Sequence, residues 1–414
     1  MKEKKIFTVL DFLKLINKYQ NKDDINFYFR GENGNYIERI PGIYRTIENN
    51  TKFRYSNLVY EGTRDYYYDL FSELGWSTNS IKYFEQIVDA QHFGAVTSFL
   101  DITSNPLAAL FFSASGNYNE DGKVYVYATK PESVKRYFGH TISLMTALNF
   151  VPKKGINDFL NFFNLLKRYI SPKSRLGISI FKRDITLQEF LNNIENSFEK
   201  QPITHVPDDK FIINYLKNPF IEQTLRIDRN GKKITKKQDS NKAKNNIIKF
   251  IKKIYPDPND RTLHYETISL NILDLKSYQD YLIQKISDKI TIFLNLLNQV
   301  SINNDKFIYP YAIFEDMQKS YIVYPSRLNE RIKNQRGAFI MPGYFSSEKM
   351  NINEIQSNIN KSINKSIKEK ARIIVDSNSK KQILNELQRL GIDEGFIYPD
   401  IEHISKTISE KYES

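Results

Sequence analysis

Strand-forming sequence in this chain is gathered at its two ends, and long helix-periodic sequence lies between them. INFYFRGE (25–32), FGAVTSFLDIT (93–103) and KVYVYATK (123–130) are short runs rich in β-branched and aromatic residues. The last follows an Asp121-Gly122 turn signal and alternates most regularly. The same texture returns in KFIYPYAIFE (306–315), SYIVYPS (320–326), RGAFIMPG (336–343) and ARIIVDS (371–377). Between them, 157–170, 186–199, 245–254 and 275–299 carry Ile, Leu and Phe at helical spacing. The expected fold is therefore α+β: a small mixed or antiparallel sheet built from both ends, with a large helical insertion. The expected parts are 1–139, an insertion over 140–304 with a basic loop at 226–253, and 305–414.

Helices are also expected over 8–20, 54–73, 80–92 and 380–391. Another is expected after Asn105-Pro106, where Pro suits the first helical turn. Residues 349–368 read as low-complexity Asn/Ile/Ser/Lys sequence, and no solenoid-period repeat is visible.

Composition removes several chemistries. None of the 414 residues is cysteine, which excludes disulfides, thiolate zinc, iron–sulfur clusters and cysteine nucleophiles, and fits a reducing compartment. With five histidines, no metal site is expected. No apolar run approaches the roughly 20 residues of a membrane helix and no signal-peptide pattern opens the chain, so no membrane partner is expected and the location is read as cytoplasmic. The net charge of +12 is local: Arg226–Lys253 holds eleven basic and two acidic residues, so nine of those charges fall in 28 positions. That segment either contacts nucleic-acid phosphates or is a solvated loop; with Phe250 as its one interleaved ring, base stacking is poorly provided for.

Three clusters carry candidate chemistry. In the first, Phe29-Arg30-Gly31-Glu32, an Arg beside bare backbone at a strand end suits a phosphate, carboxylate or ribose. Such an Arg is expected to add little to the core. In the second, Gln91, His92, Thr97, Asp101, Thr103 and Asn105 crowd into an otherwise apolar stretch, where each needs a partner or a ligand. His92 is a candidate base or ribose-hydroxyl donor, or else a satisfied structural histidine. Asp101 is a candidate to cap the next helix or to bond Arg30. The third runs from Asn329 to Phe339 and places Arg331 and Gln335 before a short apolar strand.

Together, FRGE, AQHFGAVTSFLDITSNPLAALFFSA, GKVYVYA, ERIKNQRGAF and LQRLGIDEGFIYPDIE resemble the FRG-domain family in order and placement, over roughly 1–135 and 325–405. Ala95-Val96-Thr97-Ser98 replaces the family's Leu-Pro-Thr-Arg, and Ile102 its Trp. The order of INFYFRGE, TSFLDITSNPLAALFFSA and KVYVYATK is similar, more weakly, to that of mono-ADP-ribosyltransferase and poly-ADP-ribose polymerase cores. That second resemblance implies NAD as substrate and no metal. The clusters and the two resemblances together assign catalysis to Arg30, His92, Asp101 and Glu402, and nucleotide contacts to Gly31, Glu32, Gln91, Thr97, Thr103, Asn105, Arg331 and Gln335. The carboxylate that the second resemblance requires has three candidates, Glu32, Glu330 and Glu402, none in a Glu-x-Glu on an obvious strand.

Two readings follow. One is an ADP-ribosyltransferase-like or NAD-consuming effector of toxin or anti-phage defence, acting on a macromolecular acceptor or under a regulator. The other is a non-catalytic nucleotide-, nucleic-acid- or protein-binding module. Both require the motifs to converge on one cleft.

Overall fold

The computed structural model describes residues 3–21, 23–36, 39–47, 51–76, 83–169, 172–173, 175–199, 275–301, 306–326, 329–409 and 412. The basic stretch 226–253 and the helical pattern 245–254 lie outside the described residues. The chain divides into two compact units, Met1–Phe150 with Asp316–Ser414, and Val151–Glu315.

The first unit is α+β. Its strands are β1 (Lys4–Ile6), β2 (Asn26–Glu32), β3 (Thr46–Ile47), β4 (Lys52–Phe53), β5 (Leu100–Thr103), β6 (Gly122–Thr129), β7 (Val134–Arg136), β8 (Tyr321–Tyr324), β9 (Gly337–Met341) and β10 (Ile367–Val375). Eight of them form one mixed sheet in the order β1-β10-β6-β2-β5-β9-β8-β7, while β3 and β4 make a separate hairpin. The sheet is larger than expected because β1 and β7, too short to read from pattern, pair in parallel with β10 and β8 at its edges. The strand character of both chain ends thus merges in one sheet.

Period-2 alternation sorts the core onto two faces. Val124 and Val126 of β6, with Phe29 of β2, face the helices Val9–Ile16, Pro106–Ala114 and Lys380–Arg389. Tyr125 and Tyr127, with Tyr28, face Ile355, Ile359 and Ile363 of the helix Ile352–Ser366. That helix occupies most of the low-complexity stretch. Its isoleucines recur every fourth residue, and Asn351 and Glu354 cap its start reciprocally.

Two other expectations change. KFIYPYAIFE becomes the helix Pro310–Asp316, because Pro at the first position is harmless there and Pro310, Ile313 and Phe314 share the buried side. The span 54–73 breaks into Ser56–Tyr60 and Arg64–Glu73 around Gly62, whose φ of +111° no helix accepts.

The second unit is helical among its described residues. Phe159 stacks on Phe293 with ring centres 4.2 Å apart, Phe163 stacks on Phe314 at 4.9 Å, and Asp158 pairs with Lys289 at 2.8 Å. No described helix is long and apolar enough to cross a membrane.

Candidate functional site

The site begins with β2 and its unequal neighbours. Seven residues of β2 pair with β6, but only Phe29 pairs with β5, opposite Thr103. Past that rung the ladder stops, and Arg30 Nη1 donates to the Asp101 carbonyl at 2.7 Å in its place. A cavity of about 840 Å³ is lined from both strands here.

Alternation puts Arg30 and Glu32 on one face of β2, where Arg30 Nε donates to Glu32 Oε1 at 2.9 Å. Burial opposes charge on Arg30, but Glu32 first and Asp101 second outweigh it and hold the guanidinium pKa above its ordinary value. Arg30 is therefore part of a largely buried ion pair, with 13% and 5% of the two side chains exposed, not the loosely held strand-end cation expected. Gly31, between them, faces the helix Pro106–Ala114. A Cβ there would lie 1.9 Å from the Ala109 carbonyl oxygen, so only glycine lets that helix settle on the sheet.

Gln91 Nε2 donates to Asp101 Oδ1 at 2.7 Å, and Gln91 Oε1 accepts from the Thr97 hydroxyl. The Asp101 carboxylate thus neither caps a helix nor reaches Arg30; its backbone carbonyl does the latter. Thr103 Oγ1 donates to the Gln335 carbonyl at 2.6 Å, and Gln335 Nε2 to the Ile397 carbonyl at 2.9 Å, which locks the third cluster against the second. The guanidinium of Arg331 lies over the Tyr398 ring at 4.7 Å.

Of the expected residues, Arg30, Gly31, Glu32, Gln91, His92, Asp101, Thr103, Arg331 and Gln335 line this cavity. Three do not. Thr97 is buried and reaches it only through Gln91. Asn105 caps the helix Pro106–Ala114, accepting from Leu107 N at 3.1 Å. Glu402 is exposed on the helix Ile401–Ser409, where it follows Asp400, which accepts from His403 N, and it lies outside the lining. The carboxylates that line the cavity are instead Glu32 and Asp101.

Three buried polar atoms of the lining have no partner among the described residues: Glu32 Oε2, His92 Nε2 and Arg331 Nε. Such orphans are rare, and each carries a desolvation cost that a ligand or an ordered water relieves. Burial first, then the Arg331 charge, lowers the His92 pKa against the opposing pull of Asp101, so its imidazole is neutral at pH 7. The missed lining residues include Arg45, Arg54, Asn33, Asn35, Tyr36, Phe112 and Phe339. Arg45 and Arg54 flank two-residue strands too short for a periodic signal. The mirrored triplets Arg45-Thr46-Ile47 and Lys52-Phe53-Arg54 were the one available hint. Four arginines against two carboxylates leave the cavity cationic. Among the described residues, no group of three or more His, Asp or Glu side chains is placed to hold a metal ion.

Residues 25–122 match the family model described as FRG domain, about a quarter of the chain. The matched stretch holds the first two clusters and ends at Gly122. No curated protein and no solved structure matches the chain.

Proposed function

We propose that the cavity binds NAD and cleaves the bond between nicotinamide and ribose, passing ADP-ribose to water or to a nucleophile on an acceptor. The observation that carries this reading is the trio of orphaned polar atoms, Glu32 Oε2, His92 Nε2 and Arg331 Nε, in one arginine-lined cavity. A cationic cavity of about 840 Å³ suits an anionic ligand of dinucleotide size.

The chemistry follows from those atoms. The N–C1′ bond breaks with both electrons leaving on nicotinamide, which departs neutral, and the ribose becomes oxocarbenium-like. Glu32 Oε2 accepts from the ribose 2′-hydroxyl and stabilises the positive charge at C1′. Arg30 pairs with that carboxylate and aims it. His92 Nε2, neutral and free to accept, takes the proton of the incoming nucleophile as its oxygen bonds to C1′. The products with water are nicotinamide, ADP-ribose and one proton. Arg331 supports the neutral state of His92 by its charge. In a cell, such turnover depletes NAD or modifies a target, which suits an effector of toxin or antiviral defence.

The test is incubation of the purified protein with NAD, reading nicotinamide release. Release that disappears in Glu32→Gln and His92→Ala supports the reading. Saturable NAD binding with no release from the unaltered protein overturns it and leaves a binding module.

A further inference from the structure

Arg45 and Arg54 stand directly opposite one another across a hairpin. β3 and β4 pair Thr46 with Phe53 and Ile47 with Lys52, and Arg54 N–H donates to the Arg45 carbonyl at 3.0 Å as the next step of the ladder. Opposed residues of an antiparallel pair project from the same face. Phe53, one position along, is 2% exposed and packed in the core beneath the hairpin, so the alternation turns both arginines the other way. Both are exposed, and both line the cavity.

Like charges set directly opposite destabilise a strand pair. Proteins ordinarily answer such a pair with an acid, yet neither arginine has a carboxylate partner among the described residues. The contrast with Arg30 is direct: that guanidinium is already neutralised by Glu32. Three polar residues of the lining, Asn33, Asn35 and Tyr36, are held as well. The Lys380 ammonium, fully buried, donates to the Asn33 carbonyl at 2.7 Å, and Lys123 Nζ donates to Asn35 Oδ1 at 2.5 Å. Tyr36 Oη donates to Asn33 Oδ1 at 2.9 Å. The positive charge that the cavity's acids leave uncompensated thus sits on the hairpin arginines and on Arg331, which is already stacked on Tyr398.

We infer that Arg45 and Arg54 clamp the diphosphate of the ligand, so that the substrate class is a diphosphate-bridged dinucleotide and not a nucleoside. The inference rests on the reading of the cavity as a NAD site. It moves the phosphate contact from Arg30, where the motif suggested it, to the hairpin. Each guanidinium offers paired N–H donors that match phosphate oxygens, and two of them match the charge of a diphosphate.

The experiment measures binding of inorganic diphosphate, ADP-ribose and adenosine by calorimetry, alongside the KM for NAD, at several salt concentrations. The variants are Arg45→Gln, Arg54→Gln, their double, and the double with lysines. Lys52→Ala, on the same hairpin but outside the cavity lining, is the control. Loss of a charge-assisted phosphate contact is expected to weaken diphosphate and ADP-ribose binding about tenfold per arginine, with a flatter salt dependence. Adenosine binding is expected to stay unchanged, the lysine pair to recover part of the loss, and Lys52→Ala to behave as the unaltered protein. The clamp is wrong if the double Gln variant keeps its circular dichroism spectrum and binds diphosphate and ADP-ribose as tightly as before, or if the unaltered protein binds neither. NAD hydrolysis that survives the double variant with unchanged KM sinks the clamp but keeps the reaction. Diphosphate binding that needs both arginines, without any NAD turnover, keeps the clamp and sinks the reaction.

Discussion

The two edges of β2 are built from one seven-residue strand and do opposite things. Against β6 it forms a rung at every residue from Asn26 to Glu32. Against β5 it forms one, at Phe29. Where the ladder is complete, the middle five partners on β6, Val124 to Ala128, are valines, tyrosines and alanine, and the backbone polar groups satisfy one another. Where it is abandoned, those groups need substitutes: the Arg30 side chain takes the Asp101 carbonyl. The vacated space holds the buried acid, the neutral imidazole and the unpaired guanidinium nitrogen. Incomplete pairing of the sheet is thus what leaves room for a cavity.

Substitutions on each edge sharpen this contrast. The largest effect is expected from Glu32→Gln, which keeps the shape of the open edge and removes its negative charge. Nicotinamide release is expected to fall about 10²–10³-fold, as for loss of a group aimed at developing charge. Steady-state assays check it, and retained turnover would mean that the open edge is not where reaction occurs. Arg30→Ala is a poorer probe than its strand-end position suggested, because it strands the buried Glu32 carboxylate without its partner.

On the packed face of the same strand, Gly31→Ala forces a methyl against the Ala109 carbonyl oxygen, 1.9 Å from the ideal Cβ position. Urea unfolding is expected to show a loss of about 1–3 kcal/mol, as the helix Pro106–Ala114 must shift. Gly94→Ala, with a positive φ but nothing within 4 Å, should lose only about 1 kcal/mol. Equal losses would contradict the close approach.

A smaller effect concerns pH. The folded His92 pKa lies below its unfolded value of about 6.5. As pH falls through that window the unfolded chain takes up the proton first, so the contribution of neutral His92 to stability is complete above it and lost towards the folded pKa. Turnover is expected to fall on the same acid limb. Arg331→Met removes the second of the causes that hold the pKa down, and the limb should move to higher pH. A pH–rate profile with an unmoved limb would separate Arg331 from His92.

The smallest expected effect lies at the shared rung itself. Thr103→Val removes the hydrogen bond to the Gln335 carbonyl and should cost about 1 kcal/mol in unfolding, with KM for NAD nearly unchanged. A large KM increase would mean that this rung shapes the cavity directly.

Much of the fold was legible residue by residue. Alternation in KVYVYATK marked the central strand, Asn105-Pro106 marked a helix start, and strand texture at both ends implied a shared sheet. Errors arose where local texture and tertiary setting disagreed. KFIYPYAIFE is aromatic enough for a strand, yet folds as a helix with Pro310 at its start. The Asn/Ile-rich stretch read only as low-complexity sequence because its polar residues hide isoleucines at four-residue spacing. Most of the cavity lining from the motifs was legible, since buried polar residues in apolar sequence ask for partners. Glu402 was not distinguishable from Glu32 without knowing which carboxylate the sheet buries.

Short-range information in this chain therefore settles many of its elements and helix starts, because propensity and period act over a few residues. The three-dimensional arrangement alone decides that β2 and β5 part after one rung, that Glu32 keeps an unsatisfied oxygen, and that Arg45 and Arg54 meet across a hairpin at the same opening. A cavity is defined by what distant segments fail to fill, and that remainder depends on every packing contact around it.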